Sequence, residues 1–352
     1  MNNTNENIIR VLVVDDSRVS RKLHERIISG DSRFEFVGAA SNGEEALRKV
    51  QQFSPDVVSM DVNMPELNGI EATRKIMNTH PLPIIIVSSL YNENEKQLAV
   101  EAAAAGAVYI MPKPHGVGHP DFERNARKYL RMLKNMSEVK VVGRRGKSYD
   151  HSKTSNAHPA KESISDKRRE IVLIGASAGG PHAIQSILEV LPSHFPLPII
   201  IVQHLDKSFT ESFRTWLASF SKLPVTVAKN NEAIKGEHVY LAPGGENILI
   251  KSKGYATLSG DSAESNHKPS VAALFRSAGK IYKDKAVAIL LSGMGRDGAA
   301  EMLEIKNAGV FTIAQEKQSC LVFGMPGEAV KLGAAGAVLK PEEIANELLK
   351  LI

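Results

Sequence analysis

One rhythm constrains this chain more than any other feature: short apolar runs alternate with amphipathic stretches of helical spacing, the pattern stops, and then it resumes. Ile9–Val14, Phe34–Ala39, Val57–Met60, Ile84–Val87 and Val108–Met111 are strand-sized, and Ser17–Ser29, Gly43–Gln52 and Asn68–Asn78 between them repeat apolar residues at helical intervals. Parallel neighbours need a crossover, and crossover helices bury both sheet faces, so this pattern predicts a parallel α/β sheet. A last helical stretch, Asp121–Met136, carries Phe122, Ala126, Tyr129, Leu130 and Leu133 on one face. From Ser137 to Arg169 the periodic apolar residues disappear, and GRRGKSYDHSKTSNAHPAKESISDKRR reads as a flexible linker. At Glu170 the alternation restarts with IVLIGAS, PLPIIIVQH, HVYLAP, AVAILLSG and GVFTIAQ, with antiparallel content expected around Asn247–Ser259. The expected organisation is therefore an α/β domain over 8–136, a linker over 137–169 and a second α/β domain over 170–352.

Composition narrows the function classes. With 43% hydrophobic and 24% charged residues the chain reads as globular, and its apolar runs fall short of the roughly 18 residues of a membrane span. The polar start MNNTNENIIR runs directly into a strand with no secretory pattern, and Cys320 is the sole cysteine, so a reducing cytoplasm is expected, with no membrane insertion. A net charge of +5 permits nucleic-acid binding, but the basic residues are scattered and form no aromatic-interleaved stripe, so none is expected.

Carboxylates collect at the strand ends of the first domain. Asp15 and Asp16 close the first strand, Asp61 closes the third, Ser88 ends the fourth, and Lys113 follows the fifth. Carboxyl ends of parallel strands share one edge, where ligands bind. Three carboxylates there repel one another, and a hard divalent cation, Mg²⁺ for choice, offsets the repulsion. Each Asp alone reads as a turn or cap residue; the set is what a phosphoryl-accepting carboxylate needs. With VLVVDDS, MDVNMPELNG, IIIVSS and MPKP, the stretch Ile8–Met136 resembles the response-regulator receiver family. The resemblance implies Asp61 as phosphoacceptor, Mg²⁺ held by Asp16, Asp61 and the Asn63 carbonyl with help from Asp15, Ser88 sensing the phosphoryl group, and Lys113 contacting it.

In the second domain Ser177 sits in GASAGG between a strand and a helix beginning near Pro181, a small-residue turn that exposes its hydroxyl near the positive helix end. That turn equally suits phosphate binding or tight packing. His204 follows the strand IIIVQH, and Asp297 lies in GMGRDG after the strand AVAILLS. Taken singly, His204 reads as a satisfied strand-end histidine and Asp297 as the N-cap of the following helix. Together with Ser177 they supply nucleophile, base and imidazole orienter. Gly175–Gly179 matches the G-x-S-x-G nucleophile elbow, but that fold places the acid before the histidine, against the order Ser177, His204, Asp297 here. Gly293, Gly295 and Gly298 spell a dinucleotide fingerprint, but Asp297 would set a negative charge towards a pyrophosphate, and too little chain follows for a second nucleotide-binding half. His182, His238 and His267 lack metal-ligand spacing, so no cofactor is expected in this domain.

With IGASAGGP, VQHLDKSFTESF, VYLAPGG, HKPSVAALFRS, LLSGMGRDGA and AQEKQSCLVFGMP, Glu170–Leu349 resembles the catalytic domain of chemotaxis protein-glutamate methylesterases, the CheB family. The two resemblances imply a flavodoxin-like receiver followed by a doubly wound α/β methylesterase domain with a mostly parallel sheet. They further imply Ser177 as nucleophile, His204 as general acid/base, Asp297 as orienter and the Met294 N–H in the oxyanion hole. The family usually has threonine where this chain has Ala178, which removes a hydroxyl beside the nucleophile and predicts a slower enzyme. The implied reaction is hydrolysis of glutamyl methyl esters, with glutamine deamidation, on methyl-accepting chemoreceptors. The implied phosphodonor is a chemotaxis histidine kinase. Two other readings remain: a family esterase serving another signalling system, and a non-catalytic scaffold that binds receptors on phosphorylation.

Overall fold

A computed structural model describes residues 8–89, 93–141, 169–260 and 267–351. The chain divides into two compact units, Met1–Gly146 and Lys147–Ile352. Most of the expected linker, 142–168, lies outside the described residues.

The first unit runs β1 (Ile9–Val14), α1 (Arg18–Ser29), β2 (Phe34–Ala40), α2 (Gly43–Phe53), β3 (Val57–Met60), α3 (Gly69–Thr79), β4 (Ile84–Ser88), α4 (Glu93–Ala104), β5 (Tyr109–Pro112) and α5 (Phe122–Ser137). The expected strands and helices appear within a residue or so of their sequence limits. Side chains end the turns and start the helices: Ser17, Asn42 and Asn68 accept backbone N–H groups at the first turns of α1, α2 and α3. The five strands pair in parallel in the order β2-β1-β3-β4-β5. That order reverses direction between β1 and β3, so a crevice opens there at the carboxyl edge, flanked by the residues that follow those two strands.

The second unit runs β6 (Ile171–Ala176), α6 (Gly180–Leu188), β7 (Ile199–Gln203), α7 (Thr210–Ala218), β8 (Val225–Val227), β9 (Glu232–Ala233), β10 (Val239–Leu241), β11 (Asn247–Ser252), β12 (Tyr255–Ser259), α8 (Val271–Tyr282), β13 (Ala286–Leu290), α9 (Ala299–Asn307), β14 (Phe311–Gln315), α10 (Met325–Lys331), β15 (Ala337–Leu339) and α11 (Pro341–Leu349). Seven strands form a parallel sheet in the order β15-β14-β13-β6-β7-β10-β8. The antiparallel content expected near Asn247–Ser259 is the β11–β12 pair, joined by β9 in a separate three-stranded sheet. The central strands β13, β6 and β7 are buried along their whole length, which is why they read as continuous rather than alternating apolar runs. The chain lays strands to one side of β6 and then returns to β13 on the other, so this switch point falls between β6 and β13. Among the described residues no helix is long and apolar enough to cross a membrane.

Gly175 decides how closely α8 approaches that switch point. It pairs with Val202 on one side and Leu290 on the other, and a Cβ there would lie 2.3 Å from Val271 Cγ1, at the first residue of α8. Gly175→Ala is therefore expected to cost about 1–3 kcal/mol by overpacking. Urea unfolding should read this loss, and Val271→Ala should recover part of it in the double variant.

Candidate functional site

At the switch point of the first unit, Asp15, Asp16 and Asp61 bring carboxylate oxygens within 4.8 Å of one another. Lys113 reaches back from the end of β5, its Nζ 2.7 Å from Asp61 Oδ2 and 2.8 Å from Asp15 Oδ2. The Ser17 N–H donates to Asp15 Oδ1 at 2.9 Å, and the Ser20 hydroxyl donates to Asp15 Oδ2 at 2.5 Å. The Arg21 guanidinium donates to the Asp15 and Asp16 carbonyls at 2.5 and 2.9 Å. Ser20 and Arg21 are absent from the sequence reading, because side chains on the first turn of a helix carry no signal that they fold back onto the preceding strand end. Burial pushes the Asp61 carboxyl up to about 6, against the pull of Lys113. For Lys113 burial acts downwards, but Asp61 and Asp15 outweigh it and hold the ammonium above its ordinary value. Ser88 is buried at the end of β4, its hydroxyl donating to the Ser89 carbonyl at 3.2 Å, and Asn63 is exposed two residues beyond Asp61. A donor set of three carboxylates fits a hard divalent cation. His115, His119 and Asp121 also gather, on the loop before α5. There the Asp121 N–H occupies His119 Nδ1 at 3.0 Å and Arg124 pairs with the Asp121 carboxylate at 3.1 Å.

In the second unit Ser177 follows β6 on a turn that ends at Gly179, whose φ of +78° favours glycine, and α6 starts at once at Gly180. A Cβ on Gly179 would also lie 2.4 Å from Leu321 Cβ and 2.6 Å from Ser292 Oγ. The loop after β13 grips this turn from the other side of the crevice. The Ser177 N–H donates to the Ser292 carbonyl at 3.0 Å, and the buried Ser292 hydroxyl donates to the Ala178 carbonyl at 2.6 Å. Gln315 at the end of β14 in turn accepts the Ser292 N–H at 2.7 Å. A Cβ on Gly293 would lie 2.8 Å from Ser177 Cβ, which sets the residue before Met294 against the Ser177 turn. Among the described residues no backbone acceptor takes the Met294 N–H.

His204, just past β7, places Nε2 2.8 Å from Asp297 Oδ2, with both side chains more than nine-tenths buried. This leaves Nδ1 as the ring nitrogen for a second partner. Ser177 Oγ makes no hydrogen bond to His204 among the described residues; the turn, the imidazole and the carboxylate share one sheet edge, and the hydroxyl is not locked to the ring. Asp297 does act as a helix cap, but for α8 rather than for α9, the helix that follows it. Val271 N–H donates to Oδ2 at 2.8 Å, and Ala272 N–H and the Ser270 hydroxyl each donate to Oδ1 at 3.1 Å. Burial pushes this carboxyl upwards, but the His204 contact and the α8 N–H groups outweigh it and hold Asp297 below the ordinary carboxylate range. The sequence signal for this was Ser270 ahead of the apolar run VAALF, a helix start whose partner carboxylate lies 27 residues away. His267 stacks on the His204 ring with centroids 4.5 Å apart and planes 10° apart, a role its spacing did not reveal.

A family model described as CheB methylesterase matches residues 172–348, and one described as response regulator receiver domain matches residues 11–119. A protein-glutamate methylesterase/protein-glutamine glutaminase of Nitrosospira multiformis is 44% identical over 98% of this chain and 97% of its own length. One from Syntrophus aciditrophicus is 42% identical over 98% of both chains. Among solved structures, the CheB methylesterase catalytic domain of Thermotoga maritima superposes with a TM-score of 0.51 at 37% identity, covering 52% of this chain and 99% of that one.

Asp297 contributes stability that is present above its ordinary value of 3.8 and is lost as pH falls through its lower folded value. Asp297→Asn is expected to destabilise the second unit by about 2–4 kcal/mol at pH 7, because His204 and the α8 N–H groups lose their charged acceptor. Denaturation midpoints of variant and parent should then converge as the pH is taken below 4.

Proposed function

The chain belongs to the CheB methylesterase family and carries a response-regulator receiver domain, and from that premise we propose that it is a phosphorylation-activated esterase acting on methyl-accepting chemoreceptors. Its substrates are glutamyl methyl esters, released as glutamate and methanol, and receptor glutamines, released as glutamate and ammonia. It works in the cytoplasm in chemotactic adaptation, with a chemotaxis histidine kinase as phosphodonor. The observation that carries this reading is the buried His204–Asp297 contact of 2.8 Å at the sheet edge where the Ser177 turn ends. A receptor scaffold without catalysis has no use for a desolvated imidazole–carboxylate pair beside a serine turn.

Ser177 Oγ attacks the ester carbonyl while His204 Nδ1 takes its proton. Asp297, held by α8, fixes the ring tautomer and stabilises the imidazolium. Negative charge developing on the carbonyl oxygen is met by the Met294 N–H, an oxyanion donor of a kind typically worth about 10²–10³ in rate. Collapse breaks the ester C–O bond, and His204 returns the proton to methanol, leaving an acyl-enzyme. Water then attacks with His204 again as base, and collapse frees glutamate and Ser177. Ala178 places a methyl where the family usually has a hydroxyl beside the histidine.

In the receiver, Asp61 accepts the phosphoryl group. Asp15, Asp16 and Asp61 with the Asn63 carbonyl would hold Mg²⁺, which neutralises charge on the phosphoryl oxygens during transfer. Lys113 contacts the new phosphoryl oxygens and Ser88 senses them. Phosphorylation replaces the Asp61 carboxylate by a phosphoryl group that carries roughly −1.5 to −2 charge beside Asp15 and Asp16, and this change at the receiver switches on the esterase.

Methylated receptor incubated with the chain should release methanol, faster after a small-molecule phosphodonor is added. Ser177→Ala should abolish release with the fold retained, and Asp61→Asn should abolish only the stimulation. Equal rates with and without phosphodonor would remove the switch, and methanol release by Ser177→Ala would remove the assigned nucleophile. Ala178→Thr is expected to raise turnover in the same assay; unchanged turnover would leave the missing hydroxyl without consequence.

A further inference from the structure

Gln203, the last residue of β7, is only 4% exposed. Its Nε2 donates to the Ser177 carbonyl at 2.9 Å and to the His204 carbonyl at 3.2 Å. Both protons of one amide are thus spent on the main chains of the two residues that must exchange a proton. The opposite orientation would set the amide oxygen against two carbonyl oxygens, so the donor direction is fixed by its surroundings. The rest of the Gln203 environment is equally constrained. Its Oε1 is buried without a hydrogen-bond partner among the described residues, and it presses on the start of α6: a Cβ on Gly180 would come within 2.3 Å of it. The Gly180 N–H donates to the same Ser177 carbonyl at 2.8 Å, so that oxygen is already satisfied without the glutamine. A buried acceptor left orphaned is costly and calls for an explanation other than stability.

We infer that Gln203 is a positioning residue that ties the Ser177 turn to His204 and sets the gap across which the serine proton moves. The inference rests on the Ser177–His204–Asp297 reading above. The parallel ladder alone does not set this gap: Ala176 O accepts the His204 N–H at 3.0 Å, but Ser177 leaves the strand immediately afterwards. The turn is anchored on its β13 side by Ser292 and on its β7 side by Gln203, so loss of the amide frees one edge of the nucleophile while the other stays held. Because Ser177 Oγ is not locked to the imidazole, small displacements of that edge change how often the hydroxyl and Nδ1 meet, and geometric errors of this kind cost up to about 100-fold in rate.

The test uses the full chain with Gln203→Met, which keeps the length and apolar stem and deletes the donors, and Gln203→Asn, which keeps an amide too short to reach both carbonyls. Two quantities are read: methanol release from methylated receptor, resolved into kcat and KM, and the rate at which a fluorophosphonate probe labels Ser177, followed by mass spectrometry. The expected result for both variants is a 10–100-fold fall in kcat with KM near that of the parent, a parallel fall in labelling rate, and a thermal midpoint within a few degrees. Parental kcat and labelling in either folded variant would overturn the inference. So would a loss of activity that merely follows the unfolded fraction, which is the result a structural role predicts. Ser177→Ala run alongside separates the two levels. If it stays active, the triad reading fails and the inference with it; if it is inactive while Gln203→Met is fully active, only the positioning role falls.

Discussion

Parallel strand pairing is the constraint on which both units depend. Parallel neighbours must be joined by crossovers, crossovers bury the sheet faces, and the only part of such a sheet left open to a ligand is its edge. Where strand order reverses, the connections diverge and the edge opens into a crevice. In the first unit the reversal lies between β1 and β3, and the residues just beyond those strands are Asp15, Asp16 and Asp61. In the second it lies between β6 and β13, and the residues beyond them are Ser177 and the loop from Ser292 to Asp297. Different chemistry is installed at equivalent places because the fold leaves no other place for it.

Asp297 shows how economically the second crevice is built. Its two oxygens receive the His204 ring, two N–H groups of α8 and the Ser270 hydroxyl. The start of α8 can come this near because β6 carries glycine at position 175, against which Val271 packs. A helix N-terminus favours a carboxylate, and a carboxylate kept ionised in a buried place favours an imidazole that can become positive. One group therefore caps a helix, pins that helix to the sheet edge and orients a histidine. Structure and site cannot be separated at this residue, which is why removing its charge is expected to weaken both.

The fold was legible because its signals are local and repeated. Strand-sized apolar runs, helical spacing between them and the small-residue turn at Ser177 each declare an element or a boundary by their own chemistry. The residues at strand ends were legible for the same reason, since chain position alone assigns Asp61, Ser88, Lys113, Ser177 and His204 to a sheet edge. What position alone could not give were the particular bonds that hold those distant segments together. Asp297, implied as the orienter of His204, reads when taken singly as the cap of the helix that follows it, and it caps one that begins 26 residues earlier. Ser292 and Gln315 lie inside the stretches LLSGMGRDGA and AQEKQSCLVFGMP, but their hold on the Ser177 turn runs through side-chain bonds that exist only once β13 and β14 lie side by side. The short strands β8, β9 and β15 also left no readable pattern, whereas the equally short β10 stands out in HVYLAP because its three residues are all apolar and buried.

Two buried carboxylates respond to the same desolvation in opposite ways, and the difference bears on what each is for. Burial acts upwards on both Asp61 and Asp297. Asp297 meets it with four donors, two of them at a helix N-terminus, and stays below the ordinary range. Asp61 has Lys113 and the Val62 N–H on its side and the Asp15 charge against it, and its carboxyl is pushed up to about 6. A group held firmly in its charged form suits a fixed role, and the Asp297 carboxylate is fixed against the His204 ring. Asp61 instead shares its one ammonium partner, Lys113, with Asp15. In the proposed enzyme the permanent part of the machinery thus rests on a saturated carboxylate and the switchable part on an unsaturated one.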